Sequence, residues 1–221
     1  MADYVIAFMQ SPSDCNIAAN VHNVPEFYCL DETVWRPDLA VPPEHHLTLP
    51  ASKVKIYHSV GHFAARSSGD KNVKCTHIYR PLVDRLNREG YEAELLFLRD
   101  VPNRDVRYYQ VQADIVVDML TYGWFGANVR EAMMLGKPAV CFLRPEWLEM
   151  MRREIPEYVD ELPIVSATPE TVYDVLKDLI ERPEERKEIG LRSRKFAVKW
   201  HSSVAAARRF DRLYSELLGA R

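Results

Sequence analysis

The sequence predicts an α/β domain in which a parallel sheet carries helices on both faces. The first observation is a set of apolar runs, "VKIYHSV" (54–60), "EAELLFL" (92–98), "DIVVDML" (114–120), "PAVCFL" (138–143) and "PIVSA" (163–167). They are rich in β-branched residues and nearly continuous, as strands buried on both faces are. The second observation is that helical patterns separate these runs. Such alternation is typical of right-handed βαβ units.

The helix that follows the first strand is predicted over "THIYRPLVDRLNREG" (76–90). Ile78, Leu82 and Leu86 recur every four residues, and Gly90 stands where a C-cap belongs. Pro81 is expected in the first turn or at a kink, because proline removes a helical hydrogen bond.

The later helices have equally clear boundaries. "ANVREAMMLGKP" ends on glycine and then proline, which stops a helix. In "TPETVYDVLKDLIERP", Thr168 is expected as N-cap and Pro169 as the first helical residue. Two more helices, over 183–200 and 202–218, are predicted to close the chain, with Ser202 capping the second.

The first fifty residues have a different pattern and suggest a boundary near 45–52. "DYVIAFM" and "EFYCL" are predicted strands, and "RPDLAVPPEHHLTLP" is a proline-rich connector. We therefore divide the chain into 1–50, a strand-bearing segment with its connector, and 51–221, the α/β domain.

Composition excludes several classes of protein. The 221 residues are 47% hydrophobic, enough for a core, and no apolar run reaches the ~18 residues of a membrane span. The first residues lack a basic n-region, so we expect no secretory signal. Four widely spaced cysteines without a CxxC pair predict free thiols and a cytoplasmic location.

Charge is unevenly distributed along the chain. The net charge is −3, but residues 182–212 hold ten Lys/Arg and four Asp/Glu, a local +6. This basic segment is either a solvated helix face or a peripheral contact with anionic lipid at the inner face of a membrane. The acidic balance of the remainder argues against nucleic acid as a partner.

Ligands of parallel sheets bind at the carboxyl ends of the strands, so the loops 58–74, 98–105, 120–127 and 143–147 matter most. The third of these loops leads into "YGWFGANVREAMMLGKP" (122–138). Gly126 precedes a helix N-terminus, whose free N–H groups favour phosphate, and Glu131 lies about one turn further on. A carboxylate there can accept hydrogen bonds from a ribose cis-diol. The alternative is a tight turn with Trp124 and Phe125 in the core and Glu131 on the surface.

The loop after the first strand holds three cations, Arg66, Lys71 and Lys74, that could clamp a diphosphate. The alternative is an ordinary polar surface loop. The glycines match neither the GxGxxG fingerprint nor a P-loop. His58 and His62 do not share a face, and no paired carboxylates occur, so no metal is expected. Asp114 and Asp118 are placed at opposite ends of one strand.

Two of these segments resemble a known family, the retaining glycosyltransferases of the two-domain GT-B type (group 1, or family 4). "YYQVQADIVVDMLTYGWFGANVREAMMLGKPAVCFLRPE" resembles the family's ADI-x-x-D … G-x-x-G-x-x-x-x-E-A-M-A-x-G-K-P-V block, and "NVKCTHIYRPLVDRLNREG" resembles its N-(I/V)-K-G-T segment. "LDETVWRPDL" resembles the interdomain linker. The resemblance covers roughly 20–221. It implies the C-terminal half of a GT-B fold: a Rossmann-like three-layer domain that binds a nucleotide sugar, preceded by a remnant of the N-terminal domain.

Carried over residue by residue, the resemblance implies specific roles. Arg66 and Lys74 would neutralise the donor diphosphate, and Glu131 would hold the ribose hydroxyls. The loop at Arg99–Val101 would face the base. The donor-binding segment would consist of Gly123, Trp124, Phe125, Gly126, Ala127 and Asn128. No metal or other cofactor is implied, because the basic pair and the helix dipole stabilise the leaving group.

The sequence departs from the family in three places. Gly123 stands where the family has a glutamate that contacts the transferred sugar, so Trp124 or Asn128 would take part in sugar recognition. Cys75 replaces the glycine after the lysine, and the "SSGDK" stretch before it would let Lys71 share the phosphate role. No segment resembles the N-terminal acceptor domain, and residues 1–20 resemble only its end.

The predicted function is therefore the transfer of a sugar with retention from a nucleotide diphosphate sugar to an acceptor sugar or lipid-linked glycan. Alternatives are a non-catalytic nucleotide-binding or interaction module, and one half of a split enzyme. A partner chain or a second copy would then cover the missing domain. An epimerase of similar fold is a further option, but it would need acids and histidines in the cleft that the sequence does not reveal.

Overall fold

A computed structural model describes residues 5–7, 21–66 and 72–219. Lys71 and most of residues 1–20 lie outside these ranges, so the predictions made for them are not tested. The main sheet consists of β3 (Val54–Val60), β4 (Ala93–Arg99), β5 (Ile115–Val117), β6 (Ala139–Cys141) and β7 (Val165–Ser166). A separate parallel pair consists of β1 (Val5–Ala7) and β2 (Val21–Asn23).

The helices alternate with the strands of the main sheet. They are α1 (Phe63–Arg66), α2 (Thr76–Arg88), α3 (Asn103–Gln110), α4 (Ala127–Met134), α5 (Pro145–Glu154), α6 (Pro156–Glu161), α7 (Val172–Glu181), α8 (Pro183–His201) and α9 (Ser203–Gly219). The predicted α/β class with a parallel sheet is confirmed.

The sheet has the strand order β4-β3-β5-β6-β7, with every pairing parallel. The chain leaves β3 toward β4 on one side and later returns to β5 on the other. Connections therefore diverge between β3 and β5, which opens a crevice at the carboxyl ends of these two strands.

Alternate residues of each strand pack against helices on opposite faces of the sheet. Ile56, Ile115 and Val140 lie in one core cluster with side chains of α2 and α7. Their neighbours in sequence lie in the clusters on the other face, which contain side chains of α4, α5 and α8; these neighbours are Tyr57, Val116, Ala139 and Cys141. Both faces are therefore covered, which explains why the strands are continuously apolar.

Two local predictions are wrong. "EFYCL" is not a strand, because Pro25–Phe27 form a 3-10 turn and only Leu30 bridges to Ser202. The predicted start of α7 is too early, since the helix begins at Val172 and not at Pro169. Thr168 forms a turn before the helix: its N–H donates to Thr171 Oγ1 at 2.9 Å, and its Oγ1 accepts from the N–H of Glu170 at 3.3 Å. In the first segment, Pro25 opens a turn where the pattern predicts a strand. In the second, a side-chain hydroxyl accepts a backbone hydrogen bond and forms a turn where the pattern predicts a helix.

The helix stops are confirmed. Gly90 and Gly136 follow α2 and α4 with φ of +94° and +72°, the left-handed region that favours glycine. Ser202 separates α8 from α9, and its Oγ accepts from the N–H of Ala205 at 3.0 Å. Pro81 is the sixth residue of α2 and therefore does not lie in the first turn, where proline is favoured.

The connector packs against the last helices. Arg194 of α8 donates to the carbonyls of Trp35 and Met134, both at 2.6 Å, and to that of Glu32 at 3.0 Å. Leu30 N–H also donates to His201 O at 2.8 Å. No helix among the described residues is long and apolar enough to cross a membrane.

Candidate functional site

A cleft of about 620 Å³ opens at the carboxyl edge of the sheet, where β3 and β5 diverge. It is lined by residues from the carboxyl ends of β3, β4 and β5 or directly after them, from the segment before α2, and from the first turns of α3 and α4. Ligand pockets of proteins span roughly 300–1,000 Å³, so a molecule the size of a nucleotide fits this volume.

Most of the predicted site residues meet in this cleft. Its lining includes Arg66, Lys74, Val101, Trp124, Phe125, Gly126, Ala127, Asn128 and Glu131. Gly123 and Arg99 are not in that lining. The Arg99 guanidinium lies instead over the ring of Phe63, 5.5 Å from its centroid.

Lys74 is held at the floor of the cleft by two oxygen atoms. Its Nζ lies 2.6 Å from Asp118 Oδ1 and donates to Ser59 O at 2.9 Å. Asp118 is 1% exposed. A buried lysine needs such partners, because an isolated ammonium is costly to remove from water. The pair brings together a residue before α2 and a residue after β5.

His58 of β3 packs beneath this ion pair. Its Nδ1 lies 3.3 Å from Val117 O and its Nε2 lies 2.9 Å from the hydroxyl of Thr76. Since a carbonyl can only accept, Nδ1 carries the hydrogen and Nε2 accepts from Thr76. Burial, together with the charge of Lys74, lowers the pKa of His58 to about 4. The imidazole is therefore neutral at physiological pH and serves as a structural bridge.

Gly126 marks the N-terminus of α4, and no side chain among the described residues caps this helix. Its φ of −99° suits any residue, and a Cβ added there would meet only Met119 Cε at 3.5 Å, an ordinary contact. Neither backbone conformation nor packing therefore requires glycine. A ligand that approaches the N–H groups of the first turn would explain the glycine, because a side chain at this position would obstruct that approach.

Glu131 lies on the second turn of α4 and is buried, with 5% exposure. The alternative of a surface glutamate is therefore wrong. Its Oε1 accepts from Asn103 Nδ2 at 3.1 Å. Burial raises the pKa of Glu131, while Asn103 and the charge of Lys74 oppose that shift. A carboxylate held at the wall of a cleft by one donor has free lone pairs for hydroxyl groups of a ligand.

The amide of Asn128 is oriented by its neighbours. Its Oδ1 accepts from Gln110 Nε2 at 2.8 Å and from Ser59 Oγ at 3.3 Å. Its Nδ2 is buried without a hydrogen-bond partner among the described residues. The Nδ2 group of Asn128 is thus an unsatisfied donor in a residue that lines the cleft.

Aromatic side chains form one wall of the cleft. Phe125 is buried and packs edge-on to Trp147, with the ring centroids 5.9 Å apart. Trp124 is half-buried and stacks on Tyr122 at 5.6 Å. Phe125 thus fits the prediction of a core residue, whereas Trp124 faces both core and cleft.

Two departures from the family pattern have a local explanation. Cys75 adopts a left-handed conformation with φ of +53°, which is the conformation that glycine favours, and its side chain is buried. Gly123 has φ of +98°, and a Cβ added to it would lie 2.9 Å from Cβ and Nε of Arg144. The space beside Gly123 is therefore occupied by Arg144.

Among the lining residues that sequence reasoning missed are Asp118, Asn103 and Arg130. Arg130 is 2% exposed, donates to Phe125 O at 3.2 Å, and has its pKa lowered to about 10 by burial. Asp118 carried a usable signal, because it is an acid that directly follows a buried strand at the ligand-binding edge. No group of three or more metal-ligating side chains occurs within the described ranges.

No protein-family model and no curated protein matches the sequence. Solved structures do resemble it. Anabaena HepE in complex with UDP and glucose superposes with a TM-score of 0.65 and 15% identity, over 97% of this chain and 63% of HepE. The chain thus spans less than two thirds of HepE.

Two further structures have the same architecture. Sucrose-phosphate synthase from Thermosynechococcus elongatus matches with a TM-score of 0.57 and 17% identity, over 92% of this chain and 54% of the synthase. The C-terminal domain of the group 1 glycosyl transferase LpcC from Francisella tularensis matches with a TM-score of 0.51 and 14% identity, over 79% of this chain and 99% of that domain. At these identities the likeness establishes the fold, which is the Rossmann-like fold of GT-B glycosyltransferases.

Proposed function

We propose that this chain binds a nucleoside diphosphate sugar and forms the donor-binding part of a glycosyltransferase. The observation that carries the proposal is the composition of one cleft. A buried lysine that precedes α2 meets the uncapped N-terminus of α4 and a buried carboxylate on the second turn of the same helix, where β3 and β5 diverge. Positive and hydrogen-bonding groups at such a point match a diphosphate and a ribose.

Each part of the ligand has a matching group. The diphosphate would lie against the first turn of α4, within reach of Lys74 and Arg66. The ribose diol would bind Glu131. As the bond to the sugar breaks, charge on the leaving diphosphate would be stabilised by the fixed ammonium and the helix N-terminus, which need no reorganisation. A transfer of this kind would proceed without a metal, and by analogy with the group 1 family it would retain the anomeric configuration.

UDP-glucose is the first donor to test. HepE, which shares the fold, has been solved with UDP and with UDP-glucose. We expect UDP and UDP-glucose to bind in isothermal titration calorimetry and to raise the melting temperature. GDP and ADP and their sugars serve as comparisons for the base. Absence of binding by every nucleotide at millimolar concentration would overturn the proposal.

Gly126→Ala provides a matched variant for that experiment. A methyl group at this position makes only an ordinary contact with Met119, so the free energy of unfolding should change little. The same methyl group would stand between the helix N-terminus and a phosphate. We expect UDP affinity to fall about tenfold or more, the equivalent of ~1.4 kcal/mol. Unchanged UDP affinity would remove α4 from the diphosphate site.

Transfer needs an acceptor site as well. Because the chain spans 63% of HepE, we propose that an acceptor sugar or lipid-linked glycan binds at a surface completed by a partner chain or a second copy. The test is transfer of radiolabelled glucose by the chain with and without candidate partners, with the product anomer assigned by NMR. Peripheral attachment to a membrane through the basic helices α8 and α9 is a further proposal that flotation with anionic vesicles would test.

A non-catalytic nucleotide-binding module is the second candidate. It is favoured by Gly123, because the space for an acid at this position is filled by Arg144. This candidate expects nucleotide binding without transfer or hydrolysis of any nucleotide sugar. Turnover of UDP-glucose by the purified protein would exclude it.

A further inference from the structure

We infer that Asp118 weakens the binding of the diphosphate product more than the binding of the nucleotide sugar, by partly neutralising Lys74. The inference rests on the proposed function and deepens it. It makes Asp118 a positioning residue, one that holds the lysine and limits its net charge, and not a group that touches the reacting atoms.

The position of Asp118 is constrained on all sides. Its Oδ1 lies 2.6 Å from Lys74 Nζ. Its N–H donates to Val140 O at 2.9 Å, and its C=O accepts from the hydroxyl of Tyr79 at 2.5 Å. The side chain is 1% exposed, so water does not screen the pair effectively. The two hydrogen bonds fix the backbone of residue 118, which keeps its carboxylate beside the lysine.

A phosphate that reaches Lys74 therefore also interacts electrostatically with the negative charge of Asp118. The two unlike charges largely cancel at a distance, and the carboxylate repels any anion that comes close. Glu131 and Asp100 add two further carboxylates to the lining, which also contains the cations Arg66, Lys74 and Arg130. The charged side chains of the lining are thus balanced in number, and the carboxylates limit the attraction of the cleft for an anion.

The product is the more highly charged of the two ligands. When the bond from the sugar carbon to the phosphate oxygen breaks, its electron pair remains on that oxygen. The terminal phosphate changes from a diester to a monoester and gains about one negative charge. Repulsion by Asp118 acts on this added charge, so the carboxylate disfavours retention of the product relative to the donor.

The test is Asp118→Asn, which removes the charge and keeps the shape. Calorimetry with UDP and UDP-glucose should show both ligands binding more tightly. We expect UDP affinity to rise about tenfold and the ratio of UDP to UDP-glucose affinity to rise about threefold or more, as expected for removal of one charge at an intermediate dielectric. A shape effect alone would alter both ligands equally.

Asp114→Asn is the matched control, since Asp114 precedes the same strand at the opposite edge of the sheet. Its carboxylate accepts from the N–H of Lys55 at 2.8 Å and does not line the cleft. Neither affinity should change in this variant. If Asp118→Asn does not fold, Asp118→Ser tests the same charge.

The outcomes are distinct. Weaker UDP binding in the Asp118 variant, or an equal change for UDP and UDP-glucose, would overturn the inference while leaving the proposed function intact. If the wild-type protein prefers GDP or ADP and the corresponding sugar, the same comparison is made with that pair. If it binds none of the nucleotides, the proposed function fails and the inference fails with it.

Discussion

Burial changes the expected role of Glu131 from a surface residue to a ligand-binding one. It lies in the wall of the cleft, it accepts one hydrogen bond from Asn103, and its pKa is raised by burial. An unliganded carboxylate in this place is costly, so a ligand that donates hydrogen bonds to it is favoured. The ribose diol has two such donors.

We therefore expect Glu131→Ala to weaken UDP binding by about tenfold to a hundredfold, since a hydrogen bond to a charged group contributes ~1.5–3 kcal/mol. The variant should lose little affinity for 2′,3′-dideoxy-UDP, which lacks the diol. Calorimetry of both ligands with both proteins forms a double-mutant cycle. Glu146→Ala, an exposed glutamate on α5, is the control. An equal loss for both ligands would contradict the ribose assignment.

Gly123 is explained by conformation and by packing together. Its positive φ disfavours any other residue, and Arg144 fills the space that a side chain would need. We expect Gly123→Ala and Gly123→Glu to lower the free energy of unfolding by about 2 kcal/mol or more, because backbone strain of this kind costs ~1–3 kcal/mol. Urea denaturation measures the change.

Two other glycines distinguish backbone strain from steric overlap as the cause of the destabilisation. Gly90 has φ of +94° but open space around it, so Gly90→Ala reports strain alone. Gly61 has neither feature, and Gly61→Ala should be nearly neutral. If Gly123→Ala is no worse than Gly61→Ala, the explanation fails. A tolerated glutamate at 123 that also raises UDP-glucose affinity would instead show that the family contact can be restored.

Among the elements, β3, β5 and α2 are joined by one buried side chain. His58 of β3 contacts Val117 O of β5 and the hydroxyl of Thr76 in α2. Its pKa is lowered to about 4, from an ordinary value of 6.5. The unfolded chain therefore binds a proton more readily than the folded protein between these two values.

It follows that the stability contributed by neutral His58 is complete above pH 6.5 and is lost as the pH falls toward 4. The loss amounts to about 3 kcal/mol, taking ~1.4 kcal/mol for each unit of pKa. We expect His58→Gln to be less stable than wild type at pH 7, with a difference that shrinks by this amount at pH 4. Urea denaturation across this range measures it. Parallel pH profiles for the two proteins would contradict the prediction.

The two ends of α4 have different explanations. Its end at Gly136 follows from local rules, because a left-handed residue satisfies the last carbonyls. Its beginning at Gly126 follows from no local requirement in the folded chain. This contrast between the two ends is the reason why we connect Gly126 with a ligand.

In the whole molecule, Arg194 joins the connector, α4 and α8 through three carbonyl oxygens. Removal of the guanidinium leaves these acceptors unsatisfied. We expect Arg194→Met to lower the free energy of unfolding by about 3 kcal/mol, since hydrogen bonds to charged groups contribute ~1.5–3 kcal/mol each and the loss is partly offset by water.

Arg192→Met is the matched control, because Arg192 is exposed on the same helix. It should change stability by less than about 0.5 kcal/mol. Limited proteolysis adds a second readout: cleavage within residues 32–39 should become faster in Arg194→Met. Equal stability of the two variants would show that the connector is held by other contacts.

Much of the fold was predictable because it depends on local periodicity. Five apolar runs correspond to the strands of the main sheet, and glycines after α2 and α4 end those helices. The failures at "EFYCL" and Thr168 occurred where one proline or one side-chain hydrogen bond outweighs a short pattern. Of the four loops expected to matter, the first three line the cleft. The fourth, 143–147, does not, since Arg144 packs behind Gly123.

The sequence by itself determined the parallel α/β architecture, the segments that reach the ligand-binding edge, and most of the side chains at that edge. It could do so because burial on both faces, helix stops and strand–helix alternation are encoded in neighbouring residues. Only the tertiary structure decided that β5 lies beside β3, that Lys74 is paired with Asp118, and that Arg144 excludes a side chain at 123. Each of these contacts joins residues far apart in the chain, and their geometry depends on how the elements pack together.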